Sequence, residues 1–215
     1  MLTLLTPLGK AMGIAERRLR EKEELKSKII CTAWDLVKTE GWSALSIRKI
    51  ADKIDYSVPV IYDHFKNKEA ILLEFSKKGF RLLTETILGI IDKKDVPENK
   101  IRAIADAYWN FAAENKELYQ IMFSIGTMGC DITEALPERD KFRSLAAGVI
   151  EELIAKSGRD DLNACLKYHT LFSVMHGLIS IKLVNTCTTT DSELNKMVLD
   201  DAVDGYIRSF EIRNG

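Results

Sequence analysis

Ser46, Arg48, Ser57, Tyr62, His64 and Lys68 stand close together in the chain, with Lys49, Lys53 and Lys66 among them. All of these side chains can donate hydrogen bonds, and a planar guanidinium such as that of Arg48 can fork onto a guanine edge or hold a phosphate. Between them lies the run Ser57-Val58-Pro59-Val60. Two valines and a proline make no bidentate hydrogen bonds, so on a nucleic-acid surface they would meet thymine methyl groups, and otherwise they pack inward. Arg48 is open to three roles: base contact, phosphate contact, or a solvated surface residue. Lys49, Lys53 and Lys66 supply either electrostatic support or a solvated face.

The surrounding pattern says how such residues would be held. Ile47, Ile50, Ile54 and Ile61 recur at helical spacing and form an apolar seam, and Ala51 puts a small side chain where two helices can cross closely. This predicts one short helix from Ser46 to about Lys53 and a second from Ser57 to about Phe65, joined by a tight turn. Ser57 is the expected N-cap, and Pro59 falls in the first turn, where its missing N–H costs little. Upstream, Leu25, Ile29, Ala33, Leu36 and Val37 mark one face of a longer helix ending near Glu40, with Gly41 as its stop. A helix pair held this way can present its outer face to a DNA major groove.

Two runs carry a family resemblance, Gly41-Trp-Ser-Ala-Leu-Ser-Ile-Arg-Lys-Ile-Ala51 and Tyr62-Asp-His-Phe-Lys-Asn-Lys68. In this order, after an amphipathic helix, they resemble the DNA-binding domain of the tetracycline-repressor (TetR) family of bacterial transcription regulators, over about residues 15–75. The resemblance implies a base-contacting Arg48 and phosphate contacts from Tyr62, His64 and Lys68. Their chemistry is compatible: a hydroxyl on a rigid arm, a ring N–H, and a cation at a helix start whose free N–H groups favour anions. One departure is Asp55, in a turn where the family usually has Gly; Asp tolerates the left-handed conformation better than most residues.

Composition bounds the rest. The chain has 215 residues, 46% of them hydrophobic, with a net charge of −1. That charge is unevenly divided: residues 1–80 carry 15 Lys and Arg against 11 Asp and Glu, and the remainder 16 against 21. The basic excess thus sits on the donor-rich part. No apolar run approaches the ~20 residues of a membrane-spanning helix, so no membrane partner is expected and the protein is expected in the cytoplasm. Residues 1–11 read as an extension with little structure rather than a signal peptide. Cys31, Cys130, Cys165 and Cys187 lack CxxC spacing and are expected to be reduced, small buried hydrophobes, with Cys130 in a Gly-rich loop the one candidate for reactivity.

Helical periodicity continues to the end. Asn67 caps a long helix to about Ile91; Pro97 opens the next; Asn115 caps a short one through Ser124. Residues 126–133 read as a loop, of which 126–129 could act as a lid. Pro137 opens a helix stopped by Gly158, Asp160 or Asp161 opens one to about Asn185, and a capping box at Thr190–Glu193 opens the last, to Phe210. The expectation is an all-α protein of about nine helices: a helix-turn-helix domain over 12–66 and a larger domain over 67–215.

In the larger domain Tyr108, Trp109, Phe111, Met122, Phe123, Met128, Phe142, Phe172, Met175 and His176 are either plain core or the lining of an apolar pocket, and His169 shares a helix face with Phe172 and His176. No carboxylate pair or cysteine accompanies the histidines at ligand spacing, so neither a metal site nor a cofactor is expected. The runs 108–123 and 175–182 resemble the Trp/His-Gly subgroup of TetR-like effector domains. The family implies a small-molecule effector and a four-helix dimer interface. Small residues at Ser173, Gly177 and Ser180, and at Val198, Ala202, Gly205 and Ser209, suit either that interface or close packing within one subunit. The expected protein is a homodimeric, non-enzymatic repressor of a double-stranded DNA operator, released by a small apolar effector. The competing reading is a helical carrier or enzyme without DNA binding.

Overall fold

The computed structural model describes residues 13–124, 136–184 and 189–211, without the side chains of 124, 184 and 189–192. Among them are nine α-helices, one 3-10 turn and no strand. The chain divides into two compact units between Ile71 and Leu72.

The first unit is built from α1 (Ile14–Glu40), a 3-10 turn (Trp42–Ala44), α2 (Ile47–Ile54) and α3 (Val58–Tyr62). Gly41 ends α1 at φ 81°, a backbone conformation that a side chain would strain. Ile29, Ala33, Leu36 and Val37 of α1 are buried with Ile47, Ile50, Ala51 and Ile54 of α2 and Ile61 of α3. Ser46 caps α2 by accepting from the Lys49 N–H at 3.2 Å. Asp55 ends α2 in the left-handed conformation (φ 59°, ψ 43°), and Tyr56 N–H reaches back to the Ala51 carbonyl at 3.0 Å. From α1, Lys28 donates to the Ile54 carbonyl at 3.4 Å, a cation at the negative end of α2.

Unit two begins inside α4 (Lys68–Ile91) and continues through α5 (Pro97–Glu114), α6 (Lys116–Ser124), α7 (Pro137–Ser157), α8 (Ala164–Val184) and α9 (Thr189–Arg208). The centre is α5, which packs on α6, α7, α8 and α9 and buries Ile101, Ile104, Tyr108, Trp109 and Phe111. Lys156–Glu98 and Lys100–Glu152 link α7 to α5, while Arg102–Asp204 and Asp106–Lys196 link α5 to α9. Exposed pairs of this kind contribute at most about 1 kcal/mol each.

Several boundaries differ from the sequence expectation. The second helix of the pair stops at Tyr62 instead of Phe65, because the chain bends there toward Asn67, whose side chain caps α4 by accepting from Ala70 N–H at 2.9 Å. Neither Asp160 nor Asp161 opens α8. Asp161 is held by Arg159 at 2.6 Å, and Asn163 caps the helix through Leu166 N–H at 2.9 Å. The Asn115 side chain donates to the Phe111 carbonyl at 3.2 Å and so closes α5, while its own carbonyl starts α6 by accepting from Tyr119 N–H. The last helix begins at Thr189, one residue before the expected cap, and ends at Arg208. Cys31 and Cys165 are free but exposed, not buried; Cys31 lies two residues from Ile29 and Ala33, on the opposite side of α1. The extension 1–11, the loop 126–133 with Met128 and Cys130, Cys187 and the capping-box side chains of residues 190–192 fall outside what is described.

Candidate nucleic-acid interface and effector cavity

In the first unit the buried isoleucine seam fixes which side chains face out. Arg48, Ser57, Pro59 and Tyr62 are exposed, Tyr62 by 52%, while Ser46, Val58, Val60, His64 and Lys68 are half-buried. Ser57 occupies the N-cap position of α3, yet its hydroxyl makes no cap bond. Ser57 is thus the N-cap by position, as expected from sequence, and its exposed hydroxyl is an outward donor. His64 turns Nδ1 inward, where that atom has no partner among the described residues. Lys68 is committed in part: its ammonium donates to the Ser43 carbonyl at 3.2 Å and ties the start of α4 to the 3-10 turn. An ammonium has three donors, so two remain. Lys49 is paired with Glu40 at 2.5 Å, whose carboxyl is held below its usual range by that hydrogen bond. Lys53 and Lys66 are exposed. The arrangement offers a row of hydroxyl, guanidinium and ammonium donors around an apolar helix start.

In the second unit, rings from four helices meet. Phe80 of α4 lies 5.7 Å from Phe123 of α6 and 6.3 Å from Phe142 of α7. Phe123 also lies 5.9 Å from Phe172 of α8, and Tyr168 stacks on Phe172 at 6.0 Å. These rings, with Met122 and His169, bound a cavity of about 300 Å³ whose rim carries Arg139, Asp140 and Arg143. The Arg143 guanidinium lies 5.8 Å over the Tyr168 ring. Burial raises the Tyr168 pKa, while the two arginines act against that shift.

Of the sequence candidates, Met122, Phe123, Phe142, His169 and Phe172 line this cavity. Tyr108 and His176 stand behind its wall: Tyr108 stacks on Phe142 at 6.0 Å, and His176 stacks on Phe172 at 5.5 Å. Trp109 and Phe111 do not line it. Both are buried elsewhere on α5, Trp109 beneath the Lys182 ammonium at 4.3 Å. Met175 is core. Phe80, Arg139, Asp140, Arg143 and Tyr168 were not singled out in the sequence. Arg139 and Arg143 sit one helical turn apart beside Phe142, which is the signal that could have found them.

Behind the wall runs a buried polar chain, also absent from the sequence reading. Tyr108 and Tyr119 hydroxyls are 3.1 Å apart, and the Tyr119 hydroxyl lies 2.6 Å from His176 Nδ1. Burial lowers the His176 pKa, which favours the neutral ring. With its proton on Nε2, the ring accepts from Tyr119, which in turn accepts from Tyr108. Burial raises the pKa of both tyrosines, so both keep the protons this order needs. Among the described residues no group of His, Cys, Asp and Glu could hold a metal, and no helix is long and apolar enough to cross a membrane.

A three-helix unit whose last two helices cross at a tight turn, followed by a larger helical unit, defines a helix-turn-helix protein of two-unit design. The family description "Bacterial regulatory proteins, tetR family" matches residues 29–75, and "Tetracyclin repressor-like, C-terminal domain" matches residues 101–204. The chain belongs to the TetR family of bacterial regulatory proteins. It is 22% identical over 102 residues to the HTH-type transcriptional activator FasR of Mycolicibacterium smegmatis (47% of each chain). It is 28% identical over 94 residues to an uncharacterized HTH-type transcriptional regulator of Haemophilus influenzae (44% of this chain, 50% of that one). The matched stretch thus spans about half of each relative. Among solved structures, a protein of unknown function from Rhodococcus sp. RHA1 matches with TM-score 0.70 and 19% identity, over 86% of this chain and 94% of that one. FadR of Bacillus subtilis, crystallised with stearoyl-CoA, matches with TM-score 0.68 and 20% identity, over 83% and 98%. At these identities the structural likeness speaks for the fold.

Proposed function

We propose that the protein is a homodimeric, non-enzymatic transcriptional repressor of the cytoplasm whose grip on a double-stranded DNA operator weakens when a small molecule fills the cavity. The observation that carries this reading is the α2–α3 pair, with its seam buried and Arg48, Ser57, Pro59 and Tyr62 facing out. Arg48 and the start of α3 read base edges; Tyr62, His64 and the remaining Lys68 donors hold phosphates. The effector role of the second unit is supported by the aromatic cavity and by the stearoyl-CoA bound to the B. subtilis relative. His176-Gly177 on α8, with the histidine accepting from Tyr119, suits the Trp/His-Gly subgroup.

A second copy is the proposed occupant of the outer face of α8 and α9. Leu166 and Ile181 on α8, and Leu194 and Met197 on α9, are more than half exposed. Among the described residues a Cβ at Gly177 would meet nothing within 4 Å, and one at Gly205 only the tip of Arg208 at 3.8 Å. Close packing inside one subunit therefore does not explain these glycines.

Purified protein mixed with genomic fragments should retain a discrete set, with affinity falling steeply as salt rises. Arg48→Ala should cost about 1–3 kcal/mol on the cognate site and little on unrelated duplex. Tyr62→Phe should weaken both alike. Failure to retain any fragment, or binding indifferent to salt, overturns the reading.

A further inference from the structure

Resting on that reading, we infer that the effector is a compact aromatic monoanion: a carboxylate on a body of one or two rings. Three observations set its class. The first is size. A cavity of about 150 Å³ holds one benzene ring, so about 300 Å³ admits roughly two rings. The second is the wall. Phe80, Phe123, Phe142, Tyr168 and Phe172 already meet one another edge-on, tilted or stacked at ring separations between 5.7 and 6.3 Å. A flat ring can join that array in the same geometries, whereas a flexible chain would lose its freedom against them. The third is charge. The rim holds two guanidinium groups, Arg139 and Arg143, and one carboxylate, Asp140. Among the described residues neither arginine is in an ion pair, and Arg143 makes only a long contact to the Cys165 thiol at 3.9 Å besides its place over Tyr168.

A net rim charge of +1 matches a single carboxylate, which a planar guanidinium binds through two parallel hydrogen bonds. A multiply charged nucleotide ester would set its further negative charges against Asp140. His169 and Tyr168 also line the cavity. The acid therefore enters rings first and leaves its carboxylate at the α7 rim.

The test is calorimetric titration of the full chain with four probes: 2-naphthoate, its neutral amide, decanoate and stearoyl-CoA. Each is followed by operator retention at saturating probe. 2-Naphthoate should bind at least tenfold tighter than the amide and several-fold tighter than decanoate. Arg139→Gln and Arg143→Gln should each erase most of the preference for acid over amide. Arg143 is exposed and Arg139 half-buried, so neither replacement opens the core. Equal binding of acid and amide, no binding of either, or tighter binding of decanoate or stearoyl-CoA overturns the inference. If 2-naphthoate binds as expected but operator retention does not change, the ligand chemistry stands and the regulatory reading fails. If decanoate or stearoyl-CoA releases the operator and the aromatic acid does not, the regulatory reading stands and this inference fails.

Discussion

Replacing Tyr119 by Phe tests the buried polar chain. Tyr108 is fully buried and Tyr119 is 1% exposed. Removing the Tyr119 hydroxyl strands that of Tyr108, which no water reaches, and takes the donor from His176 Nδ1, which is half-buried and can find water. Stranding a buried hydroxyl costs about 1–3 kcal/mol, and one lost neutral hydrogen bond about 1 kcal/mol. Tyr119→Phe should therefore destabilise by roughly 2–3 kcal/mol. Tyr108→Phe leaves the Tyr119–His176 bond in place and should cost only about 1 kcal/mol. The double variant has no stranded hydroxyl, so its loss should be smaller than that of Tyr119→Phe alone. The two substitutions should then be non-additive by at least about 1 kcal/mol. Chemical denaturation of the four proteins at one fixed concentration measures this, because an oligomer's stability depends on its concentration. Additivity within about 0.5 kcal/mol would refute the chain as a cooperative unit.

Three further outcomes are expected. The His176 pKa is lowered by burial from its ordinary 6.5, so its contribution to stability is full above that value and is lost as the pH falls through the folded value. Denaturation midpoints should drop on acidification below about pH 6.5, less so in His176→Gln; an unchanged slope in the variant would assign the effect elsewhere. At Gly79 on α4, a Cβ would lie 2.4 Å from Met122 Sδ. Gly79→Ala should gain about 1 kcal/mol of helix propensity and lose about 1–3 kcal/mol to crowding. Because the displaced thioether borders the cavity, the variant should also bind 2-naphthoate more weakly; unchanged affinity, read by calorimetry, would count against that link. Gly177→Leu should leave the single chain's packing intact and shift the assembly toward monomer. Sedimentation at low micromolar protein checks this, and a persistent dimer would place the interface elsewhere.

The helix-turn-helix was legible in the sequence because local rules govern it. The isoleucine spacing, Ala51, Gly41 as a helix stop and the Asn67 cap each act over a few residues; that Ser46 caps α2 rather than opening it came from the structure. Asp55 in the left-handed turn was readable for the same reason. The end of α3 was not, because the bend after Tyr62 is set by where α4 must start. Nor was the N-cap of α8, where Asp161 had a stronger partner in Arg159. Cavity membership was legible only in part. Tyr108 and Trp109 are neighbours in sequence, but α5 turns about 100° between them, so one backs the cavity wall and the other does not. Phe80 and Tyr168 look like ordinary apolar positions until α4 and α8 are brought against α6 and α7. The polar chain joins residues 108, 119 and 176, and no local pattern relates them.

The α8 helix holds the proposed functions of the second unit together. Its only charged residues are Lys167 and Lys182. Tyr168, Phe172 and His176 face the cavity and the polar chain, while Leu166, Gly177 and Ile181 face outward. A helix apolar on both sides needs cover on both sides, which a single chain supplies on one. The other side thus suits a second copy, and the helix that would hold the dimer seam is also the one whose rings bound the cavity. A ligand that moves Phe172 would shift that proposed seam or be resisted by it, which would link cavity and interface mechanically. The reach of that link has a limit: the ligand can change operator affinity by no more than the difference in its affinity for the two arrangements of the dimer.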